Sequence, residues 1–383
     1  MYRCYSIILP AGRICNHSNI STKFNFLGDK TLLNPFFDRE HNIGKLTKEA
    51  FSSLLVAAII LGIEVAFVKP WPLLGDARYY FAMAKDPFTF ITPNGYTGWA
   101  YGYRVLTPLL VHVFPVNVDD GFKIITNVSL LLTSLILYSF LRRFFGFNAR
   151  EALLGQILFL TDIAVIYNVA NFRLVDPLAY LFFIIGLYLI YACGNLLFAA
   201  TMAVAMLNKE TEIILAPVYY LVNRRKGLDY RCLLRTILLS VPAVGCFLAL
   251  RLLISGRIEE PSLGASVYTD VLRLWQTQTL RSIGLFIFTW SFLWILALIG
   301  YFNCCRDERP RRLIYLMPLV LALLVPSVDI SRILTLAFPT IIVYSLYTIS
   351  AWSKTRNGLI TSMLIILLHI ILQGTLAIFV LPK

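Results

Sequence analysis

From Phe51 onward the chain is a succession of apolar runs separated by short polar punctuation. A helix that crosses a bilayer needs about 20 predominantly apolar residues, fewer where it is tucked inside a bundle. The pattern predicts helices near 51–68, 121–141, 151–169, 177–193, 195–207, 212–222, 233–254, 283–301, 313–327, 332–350 and 358–380. The runs 195–207 and 212–222 are short and read as broken or re-entrant helices, tolerated in a membrane only inside protein or beside water. Segment 255–282 mixes apolar and charged residues and reads as an amphipathic surface helix. Residues 1–50 are only weakly apolar: the run Tyr5–Leu9 stops at Pro10, too short for the core of a signal peptide. A flexible cytoplasmic tail is expected over 1–50, followed by a transmembrane domain over 51–383.

Composition turns this pattern into a fold class. The chain has 383 residues, 58% hydrophobic and only 14% charged, where a soluble domain carries about 25% charge. The expectation is an all-α, polytopic transmembrane helical bundle of about eleven segments. A net charge of +13 does not point to nucleic acid, because Lys and Arg gather between apolar runs, as cytoplasmic loops facing anionic lipid do. The seven cysteines show no CxxC or zinc spacing and read as small apolar residues. Histidine is scarce and scattered, so no metal site is assigned.

The basic clusters set an orientation. Arg142-Arg143, Arg224-Arg225-Lys226, Arg309 with Arg311-Arg312, and Lys354 with Arg356 each stand at a helix end. The positive-inside rule places all four in the cytoplasm, which alternates correctly with the predicted helices if the N-terminus is also cytoplasmic. The other side then carries a large first external loop, 69–120, and three compact acid/base clusters: Arg173 to Asp176, Lys209 to Glu212, and Asp329 to Arg332. Ionisable groups at membrane depth are costly and mark candidate function.

Those clusters supply two halves of a chemistry. Asp76 and Asp86 in the first loop are candidate general bases for a hydroxyl that attacks a sugar, with Glu210 as a further helper. Asp86-Pro87 equally has the look of an N-cap followed by proline at the first helical position. Arg104, Arg173, Lys209 and Arg332 are candidates to hold a phosphate that gains charge as it leaves. Arg78, Tyr79, Asp176 and Asp329 complete the candidate substrate-binding set. The competing interpretation of the clusters is internal pairing at a spacing of three: Arg173 with Asp176, Lys209 with Glu212, Asp329 with Arg332. The aromatic run Tyr96–Tyr103 suits a membrane interface and equally suits stacking on a sugar. No P-loop, GxGxxG or serine triad is present.

Five pieces carry a family resemblance: Gly75–Tyr80, Tyr103–Pro108, Arg173–Leu178, Asn208–Thr211 and Asp329–Arg332. Together they resemble a bacterial group of GT-C-like membrane proteins within the GT-C superfamily, integral-membrane glycosyltransferases that use polyprenyl-phosphate-linked sugars. The resemblance implies a catalytic base in the first external loop, at Asp76, and arginine or lysine at the outer helix ends to meet the lipid phosphate. Where many members have adjacent acids in that loop, this chain has Ala77 and Arg78 after Asp76.

The expected function is therefore inverting transfer of a sugar from a polyprenyl-phosphate donor to a glycan, lipid or protein acceptor outside the cytoplasm, in a bacterial plasma membrane. Membrane lipid and the lipid-linked donor are the expected partners. No cofactor is assigned, and a divalent metal is kept as an open requirement. The alternatives are a transporter or flippase of lipid-linked glycan, and a non-catalytic partner in surface polysaccharide assembly.

Overall fold

The computed structural model describes residues 43–87, 102–225, 227–254, 279–304, 308–324 and 330–380. Asp329, the aromatic run 96–101 and segment 255–278 lie outside the described residues, as does most of the expected N-terminal tail. Among the described residues the chain is helical, with no strand. Helices α1 (Ile43–Phe67), α2 (Asp76–Lys85), α3 (Leu106–Val113) and α4 (Val118–Phe145) come first. Then follow α5 (Ala149–Leu160), α6 (Ile163–Ala170), α7 (Asp176–Tyr191), α8 (Asn195–Met206), α9 (Leu215–Asn223) and α10 (Tyr230–Ile254). The last group is α11 (Thr279–Trp290), α12 (Leu293–Cys304), α13 (Glu308–Leu313), α14 (Leu316–Leu324), α15 (Ile330–Leu334), α16 (Phe338–Trp352) and α17 (Arg356–Val380).

Helix is found at each of the eleven predicted positions, but not all of it is long enough to span. Among the described residues five helices are long and apolar enough to cross a membrane, or up to seven if two bent pairs each count as one span. α1 starts at Ile43, ahead of the apolar run, because its first turns have a partner: Glu49 accepts hydrogen bonds from Arg142 at 2.9 Å and from the Tyr138 hydroxyl at 3.3 Å.

The span Ser331–Trp352 is the axis of the bundle, with 89% of its apolar window buried, against 11% for Tyr230–Leu253 and 17% for Arg356–Leu376. α12 lies closest to it. A Cβ on Gly300 would sit 1.8 Å from the Tyr344 carbonyl oxygen, so only glycine allows the two backbones to approach this far. Ser345 and Thr348 seal the contact by donating to the carbonyls of Leu293 and Leu296, at 3.2 and 2.7 Å. Phe338 packs on Phe159 and Phe183 and carries the core across to α5 and α7.

Two predicted continuous helices are broken instead. α5 and α6 meet at 51°, and α11 and α12 at 67°. At the first break Asp162 caps α6 by accepting from Ala164 N at 2.9 Å. At the second, Ser291 adopts φ 39° and its hydroxyl lies 2.7 Å from His369 Nδ1. One side chain of α17 serves both breaks. Gln373 accepts from Ile163 N at 3.0 Å and donates to the Phe288 carbonyl at 3.0 Å. Each contact meets a backbone group that the break leaves without a helical partner, which apolar surroundings make expensive to leave unpaired.

Candidate active site

The first loop folds onto the rest of the protein through short backbone contacts. Trp71 N donates to the Ala170 carbonyl at 2.7 Å, and the Trp71 ring meets Tyr167 edge-on at 5.5 Å. The chain then turns at Gly75, whose φ of 53° favours glycine, and starts α2 at Asp76. A carboxylate in the first turn of a helix suits the positive end of its dipole.

Three arginines from distant parts of the sequence hold α2. Arg332 Nη1 donates to Asp76 Oδ2 at 2.8 Å. Arg104 Nη1 donates to the Tyr80 hydroxyl at 2.9 Å. The Arg173 guanidinium lies 5.8 Å from the centroid of the Phe81 ring and 4.4 Å from that of Phe172. Burial pushes the Tyr80 phenol well up, so it stays a neutral hydroxyl facing a cation.

Behind α2 the charges form a chain. Asp176 is fully buried at the start of α7, and its two oxygens are divided between two cations. Oδ1 accepts from Lys209. Oδ2 accepts from Arg332 Nε at 2.8 Å and Nη2 at 2.6 Å. Arg332 thereby joins the buried Asp176 to Asp76, whose side chain is 20% exposed. The order is Lys209, Asp176, Arg332, Asp76, running from the interior outward.

Two further pairs flank the chain. Arg104 forks onto Glu210, with Nε to Oε2 at 3.0 Å and Nη2 to Oε1. Burial acts to raise the Glu210 carboxyl, but the Arg104 guanidinium outweighs it and holds the group below the usual glutamate range. With both oxygens on Arg104, Glu210 orients that arginine. Arg173 forks onto Asp119 at the start of α4, at 2.7 and 2.9 Å, and donates to the Trp71 carbonyl at 3.2 Å.

Asn208 fastens the pieces together. It accepts from the Thr107 hydroxyl at 2.6 Å and donates to the Val175 carbonyl at 2.9 Å, while Leu106 N donates to the Leu207 carbonyl at 3.0 Å. The motif pieces around residues 76, 104, 173, 208 and 332 thus lie at one end of the bundle. The basic clusters lie at the other: Arg142 is about 35 Å from Asp119 along the single helix α4. At that far end Arg312 donates to the Val222 carbonyl and Tyr191 to that of Arg309.

Asp76, Tyr79, Arg104, Arg173, Asp176, Lys209, Glu210 and Arg332 are all in or beside this assembly. Arg78 is exposed, since two residues along a helix turn a side chain about 200° from Asp76. Asp86 is the C-cap of α2, with its N–H on the Ala82 carbonyl, and is exposed. Asp329 lies outside the described residues. Two of the spacing-of-three pairs are replaced by long-range ones: Arg173 takes Asp119, and Lys209 takes Asp176.

Sequence reasoning passed over Tyr80, Asp119, Asn208 and Glu212 as site residues. Asp119 could have been found as an acid opening the apolar run of α4. Glu212 is fully buried, and neither carboxyl oxygen has a hydrogen-bond partner. Burial pushes it well above the usual range, Lys209 opposing and Asp176 adding to the rise.

Among the described residues no three His, Cys, Asp or Glu side chains converge to hold a metal ion. No family model matches the chain, and no curated protein matches it.

Proposed function

We propose that the protein is an inverting glycosyltransferase of GT-C type that takes a sugar from a polyprenyl-phosphate donor. The observation that carries this reading is the chain from Lys209 to Asp76, which sets two buried cations directly behind one partly exposed carboxylate. Asp76 accepts the proton of an acceptor hydroxyl as its oxygen attacks the anomeric carbon. The bond from that carbon to the phosphate oxygen breaks, and the departing phosphate gathers charge. Arg332 and Lys209, fixed in advance by Asp176, stabilise that charge without reorganising at the moment of reaction. Arg104 and Arg173 keep α2, and with it Asp76, in register.

In this reading the site end faces the outside of a bacterial plasma membrane and the basic end faces the cytoplasm, with a cytoplasmic N-terminus and about eleven membrane segments. The acceptor is a glycan, lipid or protein hydroxyl. The test offers purified protein in lipid a panel of radiolabelled polyprenyl-phosphate sugars. Binding and transfer of at least one donor are expected. Failure to bind any of them contradicts the reading.

One observation favours a second reading. Two bent apolar helix pairs meeting at Gln373 resemble the discontinuous helices of secondary transporters. Cysteine accessibility separates the two: an enzyme's site residues react from one side of the membrane, a transporter's from both.

A further inference from the structure

The way Arg332 divides its donors has a consequence for the order of events at the site. Arg332 spends Nε and Nη2 on Oδ2 of Asp176, which is fully buried. These two bonds fix the plane and position of the guanidinium whatever happens outside. Nη1 points the other way and donates to Asp76 Oδ2. Of the three bonds it alone ends on a partly exposed carboxylate. Of the two cationic side chains in the chain of charges, Arg332 is the nearer to the exposed end, so an anion that reaches the site competes with Asp76 for Nη1. The phosphodiester of a lipid-linked sugar brings two free anionic oxygens and one charge, so it competes with the carboxylate for a guanidinium N–H once the lipid holds it at the site.

We infer that Arg332 is a latch on Asp76, and that the phosphate of a lipid-linked donor releases it. Before the donor binds, Oδ2 of Asp76 is occupied by an N–H and is not turned to an acceptor hydroxyl. The phosphate takes the place of the carboxylate at Nη1, Asp176 keeps the guanidinium in place, and the Asp76 carboxylate, turned away from Nη1, is ready for the hydroxyl proton. No covalent bond changes in this step; one hydrogen-bond donor exchanges acceptors. The latch thereby frees Oδ2 of the base only when a donor is present. This inference rests on the reading that Arg332 meets a lipid phosphate.

The test follows Asp76 by its reaction with a water-soluble carbodiimide and an amine, read by mass spectrometry, in wild-type protein in neutral-lipid nanodiscs. Exposed Asp86, at the other end of α2, is the internal reference. Retention of labelled polyprenyl monophosphate is measured in parallel. Polyprenyl monophosphate is expected to speed labelling of Asp76 relative to Asp86 by about tenfold, the scale of one hydrogen bond to a charged group; neutral polyprenol is expected to leave it unchanged. A response to inorganic phosphate as well supports the exchange and shows that the phosphate alone drives it. Arg332→Gln, checked for wild-type thermal unfolding, is expected to label fast without lipid and to gain nothing from it. If the lipid phosphate is retained but Asp76 labelling does not rise, and Arg332→Gln labels no faster than wild type at rest, the latch is overturned and the glycosyltransferase reading stands. If the lipid phosphate is not retained, both fall.

Discussion

The protein holds two polar regions within an apolar bundle, and they are built on opposite plans. At the site end Asp76, Asp119, Asp176 and Glu210 are each met by arginine or lysine, and the chain of charges opens outward at Asp76. At the helix breaks the binding groups are an amide, an imidazole, a hydroxyl and the Asp162 carboxyl, and they are spent on the backbone of α6 and α11 and on each other. Polarity inside a membrane protein therefore has two separate uses. One mends helices that bend; the other holds paired charges in a chain that opens outward at Asp76.

The sharpest way to break this contrast is to remove the pivot of the charged region. Asp176→Ala leaves Arg332 and Lys209 buried without their shared anion, and loss of one partner of a buried pair costs about 3 kcal/mol or more. Unfolding in lipid–detergent mixtures should show that loss together with loss of lipid-phosphate binding. Gln373→Leu should separate the two effects. It orphans the Ile163 N–H and the Phe288 carbonyl, at about 1–3 kcal/mol for each unsatisfied group, while lipid-phosphate binding per folded molecule stays as in wild type.

Gly300→Val tests the frame on which both regions stand. Overpacking a close contact costs about 1–3 kcal/mol, and thermal unfolding should fall without a change in the charged site. The smallest effect is expected at Glu212. A carboxyl whose folded-state value is raised contributes stability that is full below the unfolded value and is lost as pH rises toward the folded one. Wild-type stability should therefore decline as pH rises above the usual glutamate range, and Glu212→Gln should flatten that decline. An unchanged slope in the variant removes Glu212 as its source.

How much of this was legible in the sequence differs between the two regions. Arg104, Arg173, Lys209 and Arg332 stood out because each interrupts an apolar pattern at a helix boundary, and they do gather at one end. Their partners were not legible. A spacing of three brings side chains together only within a helix, whereas Arg173 lies in the turn before α7 and Lys209 precedes the 3₁₀ turn Glu210–Ile214. Arg173 instead reaches Asp119, which only the tertiary fold brings near. These two breaks were missed because hydrophobicity runs on almost unchanged through 151–169 and 283–301. The signs were single polar residues, Asp162 and Ser291, and the side chains that complete the breaks, Gln373 and His369 of α17, lie in a distant part of the chain. Asp86 was misjudged for the converse reason: Pro87 after an acid imitates a helix start, but here it follows the end of α2.

The claim on which all of this converges is that Asp76 takes the proton while the cations behind it hold the phosphate. It is tested most directly by comparing wild type with Asp76→Asn for both donor binding and sugar transfer, in the same lipid preparation. Asparagine fills the same volume and removes the proton acceptor, so the expected result is donor retention close to wild type with transfer abolished. Transfer by Asp76→Asn at the wild-type rate would contradict the claim.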